Sequence, residues 1–322
     1  MEKNRIKHCS DELLCGMDGG GTTTKVVVCN LEGQMLHSFQ TGTINHYGAG
    51  IPKVRENFAD IAAKLMARFD CLPGTIFTGN SALDGLAEDT LVQDVTNSVF
   101  KPSKVVFHSD VYIALLSFTL GNPGAVLISG TGSMACGIDA GGVYHTAGGW
   151  GQVLGDEGSA YHMALKGIKA ALRGYDGLSE PTQLSASVMK FFDLKKMSDI
   201  IDKIYNPPFE KSVIAAFATE LETTADEGDR VALEIIESEA KWLYKLAIAI
   251  TRKCNTQNLG YYGSVLNQNY RIRSKLSALL KEQFISLQTP RFKPEIGALI
   301  GAFRESGNKV TDSVITNFMK YN

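Results

Sequence analysis

The chain contains 322 residues with a mass of 34.9 kDa, and its 32 basic and 34 acidic side chains leave a formal charge of −2. This length suffices for two domains with their own cores, and a hydrophobic content of 44% excludes a mainly disordered chain. The balanced charge disfavours a broad basic face for nucleic acids or anionic membranes, so we expect a small-molecule partner, no nucleic acid and no membrane.

The N-terminal part of the chain alternates short apolar stretches with segments of helical periodicity. The apolar and β-branched stretches predict strands at 13–17, 24–29, 35–41, 75–78 and 104–108. The segments with a helical period predict helices at 52–69, 91–100 and 111–120. The predicted order of elements is therefore βββαβαβα, which begins with a βββαβα unit.

A run of four turn residues, Gly121-Asn122-Pro123-Gly124, predicts a domain boundary. After it the same order begins again, with strands predicted at 125–129, 134–138, 143–146, 259–262 and 285–287 and helices at 159–172, 230–254, 273–283 and 294–305. We predict an N-terminal domain over 1–121 and a C-terminal domain over 122–322, with a largely helical insertion at about 176–228. The closing helix could pack back on the N-terminal domain. One α/β unit used twice would leave a cleft between its copies, where ligands prefer to bind.

The six cysteines and the N-terminus indicate the compartment. The cysteines form no CxxC pair and have no histidine at metal-ligand spacing, as is typical of reduced, mostly buried thiols in a cytosolic chain. Residues 1–12 are charged and lack the apolar core of a signal peptide, and we interpret them as a leader. We therefore expect a cytoplasmic protein.

A glycine-rich turn joins the first two predicted strands and is a candidate phosphate site. Gly20 and Gly21 allow close approach of the backbone to a ligand, and Thr22 and Thr23 add hydroxyl donors. Asp18, directly before the glycines, could hold Mg²⁺ through water. A plain hairpin turn is the alternative interpretation of this segment.

The second copy carries a similar turn in the corresponding place, Ser129-Gly130-Thr131-Gly132-Ser133. Two such hairpins facing one another across a cleft would grip a triphosphate from both sides, which is the positioning that phosphoryl transfer requires. Neither turn is a Walker loop or a Rossmann fingerprint, since both of those motifs lead from a strand into a helix.

Further candidates follow other predicted strands. Asp110 follows the strand at 104–108, where a carboxylate could accept a proton from an attacking hydroxyl group, cap the next helix, or do both. The segment 148–159, GGWGQVLGDEGS, places Trp150 among glycines, which suits a sugar face, with Asp156 as a ligand contact and Glu157 in a structural role. Asn45 and Gly263-Ser264 suit a hydroxylated ligand or a nucleotide, although ordinary turn chemistry explains them equally well.

Three segments, DGGGTTTK, LISGTGS and GGWGQVLGDEGSAYHMALKGI, resemble the N-acetylglucosamine kinase branch of the BadF/BadG ATPase-like family. That family has the actin, sugar-kinase and heat-shock-ATPase fold. The resemblance covers the chain from about residue 13 to its C-terminal helix. It implies an α/β fold of two duplicated ribonuclease-H-like domains. It also implies ATP- and Mg²⁺-dependent phosphorylation of an amino sugar, typically at its 6-hydroxyl group, by an enzyme that is often a homodimer.

The resemblance also implies roles for individual residues. Those matching nucleotide contacts are Thr22, Thr131, Ala215 and Ser264, to which the turn chemistry adds Gly20, Gly21, Thr23, Gly132 and Gly263. Those matching sugar contacts are Asn45, Asp110, Gly149, Trp150 and Asp156. Asp110 is the implied general base, and Asp18 the implied Mg²⁺ residue.

One departure keeps the substrate open. Relatives that use N-acetylglucosamine often carry Asn after the GTGS run, where this chain has Met134. N-acetylmuramic acid, with its bulkier lactyl group, and glucosamine therefore remain alternatives. Two other functions also remain open: an ATPase that activates a 2-hydroxyacyl-CoA dehydratase or benzoyl-CoA reductase type enzyme, and a non-catalytic sugar sensor.

Overall fold

A computed structural model of the chain describes residues 10–81, 98–206 and 210–321. Most of the predicted leader and residues 91–97 of the predicted helix at 91–100 lie outside the described residues. The described chain divides into two compact units. Unit one is formed by described residues within 1–122 and 290–322, and unit two by those within 123–289.

The described residues form ten strands and fourteen α-helices. The strands are β1 (Leu13–Gly19), β2 (Thr23–Asn30), β3 (Met35–Gly42), β4 (Thr75–Asn80), β5 (Lys104–Ser109), β6 (Gly124–Ser129), β7 (Ser133–Ile138), β8 (Tyr144–Gly148), β9 (Asn258–Tyr262) and β10 (Ser286–Gln288). The helices are α1 (His46–Ala49), α2 (Ile51–Phe69), α3 (Asp110–Thr119), α4 (Gly151–Leu154), α5 (Ala160–Tyr175), α6 (Leu184–Phe191), α7 (Ile200–Tyr205), α8 (Lys211–Ala216), α9 (Ala218–Asp226), α10 (Arg230–Lys253), α11 (Ser264–Gln268), α12 (Tyr270–Lys281), α13 (Pro294–Glu305) and α14 (Asp312–Tyr321).

The sheet of unit one has the strand order β3-β2-β1-β4-β5 in its described part. Strands β1, β2 and β3 form an antiparallel meander, whereas β4 and β5 run parallel to β1. Helix α2 buries Val54, Phe58, Ile61 and Leu65, which share one face because they recur at intervals of three or four residues. These side chains pack with those of the meander in one core.

Helices α3 and α13 of unit one are in backbone contact with each other. A Cβ added to Gly297 of α13 would overlap the carbonyl oxygen of Ile113 in α3, so only glycine allows this approach. Helix α13 also packs on β1, since a Cβ added to Gly16 would lie 2.8 Å from the backbone nitrogen of Leu299. The beginnings of both helices are thereby placed beside the end of β1.

Unit two repeats this arrangement, with the order β10-β9-β6-β7-β8. The meander is β6-β7-β8, and β9 and β10 continue the sheet in parallel with β6. Helices α6 to α9 occupy the predicted insertion, and their buried residues share one core with α5 and α10. The predicted α/β fold with a duplicated unit is confirmed.

Several element boundaries differ from the predictions. The helix predicted at 159–172 runs from Ala160 to Tyr175, and the strand predicted at 285–287 is observed at Ser286–Gln288. The helix predicted from 273 begins at Tyr270, because Asn269 caps it by accepting a hydrogen bond from Ile272 N. Within the described ranges, each helix is too short or too polar to cross a membrane.

Candidate active site

The β1–β2 hairpin of unit one ends in an exposed glycine-threonine tip. Gly20 N donates to the carbonyl oxygen of Thr23 at 3.0 Å, which closes the turn. The side chains of Thr22 and Thr23 are exposed, and a Cβ added to Gly21 would meet no described atom within 4 Å. The tip therefore presents backbone N–H groups and hydroxyl groups, a donor set that suits phosphate oxygens.

Three carboxylates of unit one gather where β1 ends and where α3 and α13 begin. Burial, followed by the negative charges of Glu295 and Asp110, raises the pKa of Asp18 to about 6, against the opposing charge of Lys25. The strand explains this placement, because Gly16 lies two residues before Asp18 on the same face of β1. A Cβ added to Gly16 would lie 2.9 Å from the carbonyl oxygen of Glu295.

The carboxylate surplus at this place fits a magnesium ion held through water. Glu295 is only 3% exposed, and Lys25 Nζ lies 3.7 Å from its Oε1, whereas Oε2 has no hydrogen-bond partner among the described residues. The described ranges hold no group of three His, Cys, Asp or Glu side chains placed to bind a metal directly. Mg²⁺ commonly keeps several waters and uses one or two carboxylates. Asp18 and Glu295 are the residues that would hold it.

Asp110 is the first residue of α3, and it is not the N-cap that its position also suggested. Ser109 caps the helix, since its side chain accepts a hydrogen bond from Tyr112 N at 3.2 Å. Asp110 Oδ1 accepts from Val111 N at 2.8 Å. The Asp110 carboxylate thus lies at the positive end of a helix dipole, which favours a negative charge there.

Asn45 is held in a loop of unit one next to the end of β4. Its Nδ2 donates to Ser81 Oγ at 3.0 Å, and its Oδ1 accepts from Tyr47 N at 3.0 Å. Asn80 donates to the carbonyl oxygen of Ile44 at 3.1 Å, which fixes the same loop. Asn80 and Ser81 escaped the sequence reasoning, since the predicted strand ended at residue 78, whereas β4 continues to Asn80.

In unit two, the β6–β7 hairpin and the start of α11 bring four predicted nucleotide residues together. Gly130 N donates to the carbonyl oxygen of Gly132 at 2.9 Å, and Thr131 is exposed at the tip. A Cβ added to Gly130 would lie 3.7 Å from Ser264 Oγ. Gly263 has φ of +101°, and any side chain there would overlap the last carbonyl group of β6. This residue must therefore be glycine for Ser264 to lie beside the hairpin.

Ala215 is placed differently from the other predicted nucleotide residues. It lies in α8 and is 7% exposed, with its side chain in the core of unit two. Its predicted place near the adenosine stays a prediction, and its buried methyl group leaves chiefly the backbone available for such a contact.

The end of β8 and the loop after it combine three glycines of positive φ with an exposed aromatic ring. Gly148, Gly149 and Gly151 have φ between +73° and +81°, a region that favours glycine. Trp150 is 73% exposed. A Cβ added to Gly149 would lie 3.3 to 3.5 Å from the side chain of Met134, so Met134 lies directly beneath this loop.

Asp156 joins this loop to the β6–β7 hairpin by a hydrogen bond and to α8 by an ion pair. Its Oδ1 accepts from Ser133 N at 3.1 Å, and its Oδ2 lies 2.5 Å from Lys211 Nζ in α8. Asp156 is 5% exposed and has φ of +67°, a conformation that non-glycine residues adopt at a cost. Its predicted sugar contact stays a prediction.

A second buried carboxylate anchors the end of the same loop. Glu239 of α10 is fully buried, and it accepts from Gly158 N at 2.6 Å and lies 2.8 Å from His162 Nδ1 and 2.9 Å from Lys166 Nζ. Burial raises the pKa of Glu239, but the hydrogen bonds and charges of His162 and Lys166 outweigh it and lower the pKa. Glu239 therefore fixes the loop without taking part in any predicted ligand contact.

Comparison with known proteins identifies the family. The BadF/BadG/BcrA/BcrD ATPase family matches residues 15–302. The chain belongs to this family.

Relatives of this ATPase family member include three kinases of amino sugars. The chain is 28% identical to the N-acetylmuramic acid/N-acetylglucosamine kinase of Clostridium acetobutylicum, over 86% of this chain and 92% of the relative. It is 29% identical to the N-acetyl-D-glucosamine kinase of Dictyostelium discoideum, over 76% of this chain and 81% of the relative. Identity to the glucosamine kinase GspK of Vibrio cholerae is 25%, over 91% of this chain and 95% of the relative.

A solved structure shares the fold of this family member. It is the Chromobacterium violaceum protein assigned as N-acetylglucosamine kinase, with a TM-score of 0.73 and 21% identity, covering 91% of this chain and 99% of that chain. The family and the named relatives identify the chain as a phosphotransferase that uses ATP and has a hydroxyl group as acceptor.

Proposed function

We propose that this ATPase family member phosphorylates an amino sugar, N-acetylglucosamine at O6, with ATP and Mg²⁺. The observation that carries this proposal is the position of Asp110 in unit one. Its carboxylate lies at the beginning of α3 and close enough to Asp18 to raise the pKa of that carboxyl group. This position supports Asp110 as the proton acceptor, beside the residues that would hold the metal of the nucleotide.

The proposed reaction is a direct transfer. Asp110 accepts the proton of the sugar hydroxyl group while that oxygen forms a bond to the γ-phosphorus and the bond from the γ-phosphorus to ADP breaks. The exposed N–H and hydroxyl groups of the hairpin tips, Gly20–Thr23 and Gly130–Gly132, would bind phosphate oxygens. When bound, Mg²⁺ neutralises charge on the phosphate oxygens. Asn45, Gly149, Trp150 and Asp156 are the proposed sugar contacts.

N-acetylmuramic acid is the second candidate substrate. Met134 lies beneath Gly149, so an apolar thioether replaces the polar contact expected for N-acetylglucosamine at this place. The relative from Clostridium acetobutylicum is named for both sugars. If Met134 selects the larger sugar, Met134→Asn should shift the ratio of kcat/KM values toward N-acetylglucosamine.

An ADP-release assay across N-acetylglucosamine, N-acetylmuramic acid, glucosamine and glucose tests the function. We expect ADP release that depends on an amino sugar, and phosphorus NMR of the product should show a phosphate ester at O6.

Asp110→Asn tests the proposed base, and it should lower kcat by about 100-fold or more while ADP still binds. Near-normal turnover of this variant would remove Asp110 as the base. Sugar binding without any ADP release would instead indicate a sensor.

The alternative of a dehydratase activator is disfavoured by the described cysteines. Cys15, Cys29, Cys136 and Cys254 are buried, and Cys71 is half-buried. Burial raises the pKa of Cys15, Cys29 and Cys254, which opposes the thiolate form that ligates iron. An iron-containing protein after anaerobic purification would revive this alternative.

We further propose that the enzyme acts in the cytoplasm as a homodimer. Val153 and Leu154, on the same short helix α4, are 86% and 78% exposed and would supply an apolar contact. Sedimentation of the purified chain as a monomer at micromolar concentration would contradict the dimer.

A further inference from the structure

The β6–β7 hairpin of unit two has a cation directly beside its tip. A Cβ added to Gly132 would lie 3.1 Å from Lys211 Nζ and 2.9 Å from Asp156 Oδ1. Lys211 is the first residue of α8, and its separation of 55 residues from Asp156 along the chain hid it from sequence reasoning. The ammonium group and the exposed Thr131 therefore border the same turn.

The two partners of this ion pair differ in their exposure. The side chain of Asp156 is 4% exposed, whereas that of Lys211 is 30% exposed. An ammonium group has three N–H donors, and Asp156 accepts one of them at 2.5 Å. The ring of Tyr161 lies 5.8 Å from Nζ and offers a cation–π contact, which uses no N–H donor. Lys211 therefore has N–H donors left that face solvent beside the hairpin.

We propose that Lys211 binds phosphate oxygens of the nucleotide at the Gly130–Gly132 turn, and that Asp156 is the positioning residue that holds Lys211 there. This inference rests on the proposed kinase function. The hairpin alone offers neutral N–H and hydroxyl donors, and a charged donor beside them strengthens the binding of a polyanion. Asp156 accepts from both Ser133 N and Lys211, so it fixes the ammonium group relative to the backbone of the turn.

Asp156 is also one of the proposed sugar contacts, and its two hydrogen bonds use two of the about four lone-pair sites of a carboxylate. Lys211→Met leaves this carboxylate in place. Loss of the ion pair should therefore affect the nucleotide more than the sugar.

Calorimetric titration of the full chain with ADP and with adenosine tests the inference. Lys211→Met should weaken ADP binding by about tenfold or more, because a charge-assisted hydrogen bond is lost, and should leave adenosine binding within about twofold. Lys211→Arg keeps the charge and should retain most of the ADP affinity. The KM for ATP should rise in Lys211→Met, while the KM for the sugar stays near that of the unaltered enzyme.

Lys166→Met is the matched control, since Lys166 also pairs with a buried carboxylate of unit two but lies at Glu239. It should leave ADP affinity within about twofold.

A double variant guards against misfolding. Lys211→Met alone leaves the buried carboxylate of Asp156 without its ion-pair partner, and adding Asp156→Asn removes that charge. The ADP affinity of the double variant should remain low. Unaltered ADP affinity in Lys211→Met, equal losses in the Lys211 and Lys166 variants, or a change in sugar KM alone would each overturn the inference. If the unaltered chain binds no ADP, the kinase proposal itself fails.

Discussion

At the residue scale, Asp18 shows a conflict between stability and the proposed function. Burial and two neighbouring carboxylates raise the pKa of Asp18 to about 6. Because this value exceeds that of the unfolded chain, the folded state loses stability as the pH rises from about 4 to about 6 and does not regain it above pH 6. A residue that weakens the fold at neutral pH is consistent with a role in binding a cation.

Asp18→Asn should therefore stabilise the nucleotide-free protein at pH 8. Removing the buried charge should increase the free energy of unfolding by about 1–3 kcal/mol, and the gain should disappear at about pH 3, where the carboxyl group is protonated in both states. Urea unfolding at both pH values in the presence of a chelator measures this difference.

The control for this prediction is Asp60→Asn in helix α2. Thr41 and Lys64 both donate to Asp60, and these hydrogen bonds lower its pKa. Its replacement should give no stabilisation at pH 8. A destabilised Asp18→Asn protein at pH 8 would show that Lys25 outweighs Glu295 and Asp110 around this carboxylate.

At the element scale, the local sequence pattern predicted most strands and helices. It did not predict two residues of the candidate site, Glu295 and Lys211, whose positions depend on tertiary contacts. The β-branched run of β2 and the three-to-four spacing of Phe58, Ile61 and Leu65 in α2 are local signals. Glu295 and Lys211 carry no such signal. Each is the first or second residue of a helix that meets its strand only after folding, so no spacing along the chain connects it to Asp18 or Gly132.

The contact between α3 and α13 requires a residue without a side chain at position 297. Gly297→Ala would overlap the backbone carbonyl group of Ile113, which cannot move without separating the two helices. We expect a loss of at least about 2 kcal/mol in the free energy of unfolding, although alanine favours a helix by about 1 kcal/mol over glycine. Thermal and urea unfolding measure the loss.

Gly167→Ala in α5 is the matched control, because it introduces the same methyl group into another buried helix. The nearest atom there is Leu221 Cδ1 at 2.5 Å, the end of a flexible side chain. Its effect should stay within about 1 kcal/mol, since the leucine can change rotamer. Equal losses in both variants would mean that the α3–α13 contact adapts as easily as a leucine side chain.

At the scale of the whole molecule, unit one is completed by the last segment of the chain. Helix α13 buries Ile296, Leu299 and Phe303 completely and packs on β1 and α3. Helix α14 adds Val314 against Gly33. The residues that precede Asn122 therefore lack part of their core until the C-terminus has been synthesised.

A chain that ends at Thr289 should consequently lose the structure of unit one and keep that of unit two. Hydrogen exchange measured by mass spectrometry should show lost protection in β1 and β4, because their covering helix is absent. Both tryptophans, Trp150 and Trp242, lie in unit two, so the unfolding transition reported by tryptophan fluorescence should persist. Retained protection of β1 in the truncated chain would show that the meander and α2 bury enough apolar surface without α13. Loss of the fluorescence transition would instead show that unit two depends on unit one for its stability.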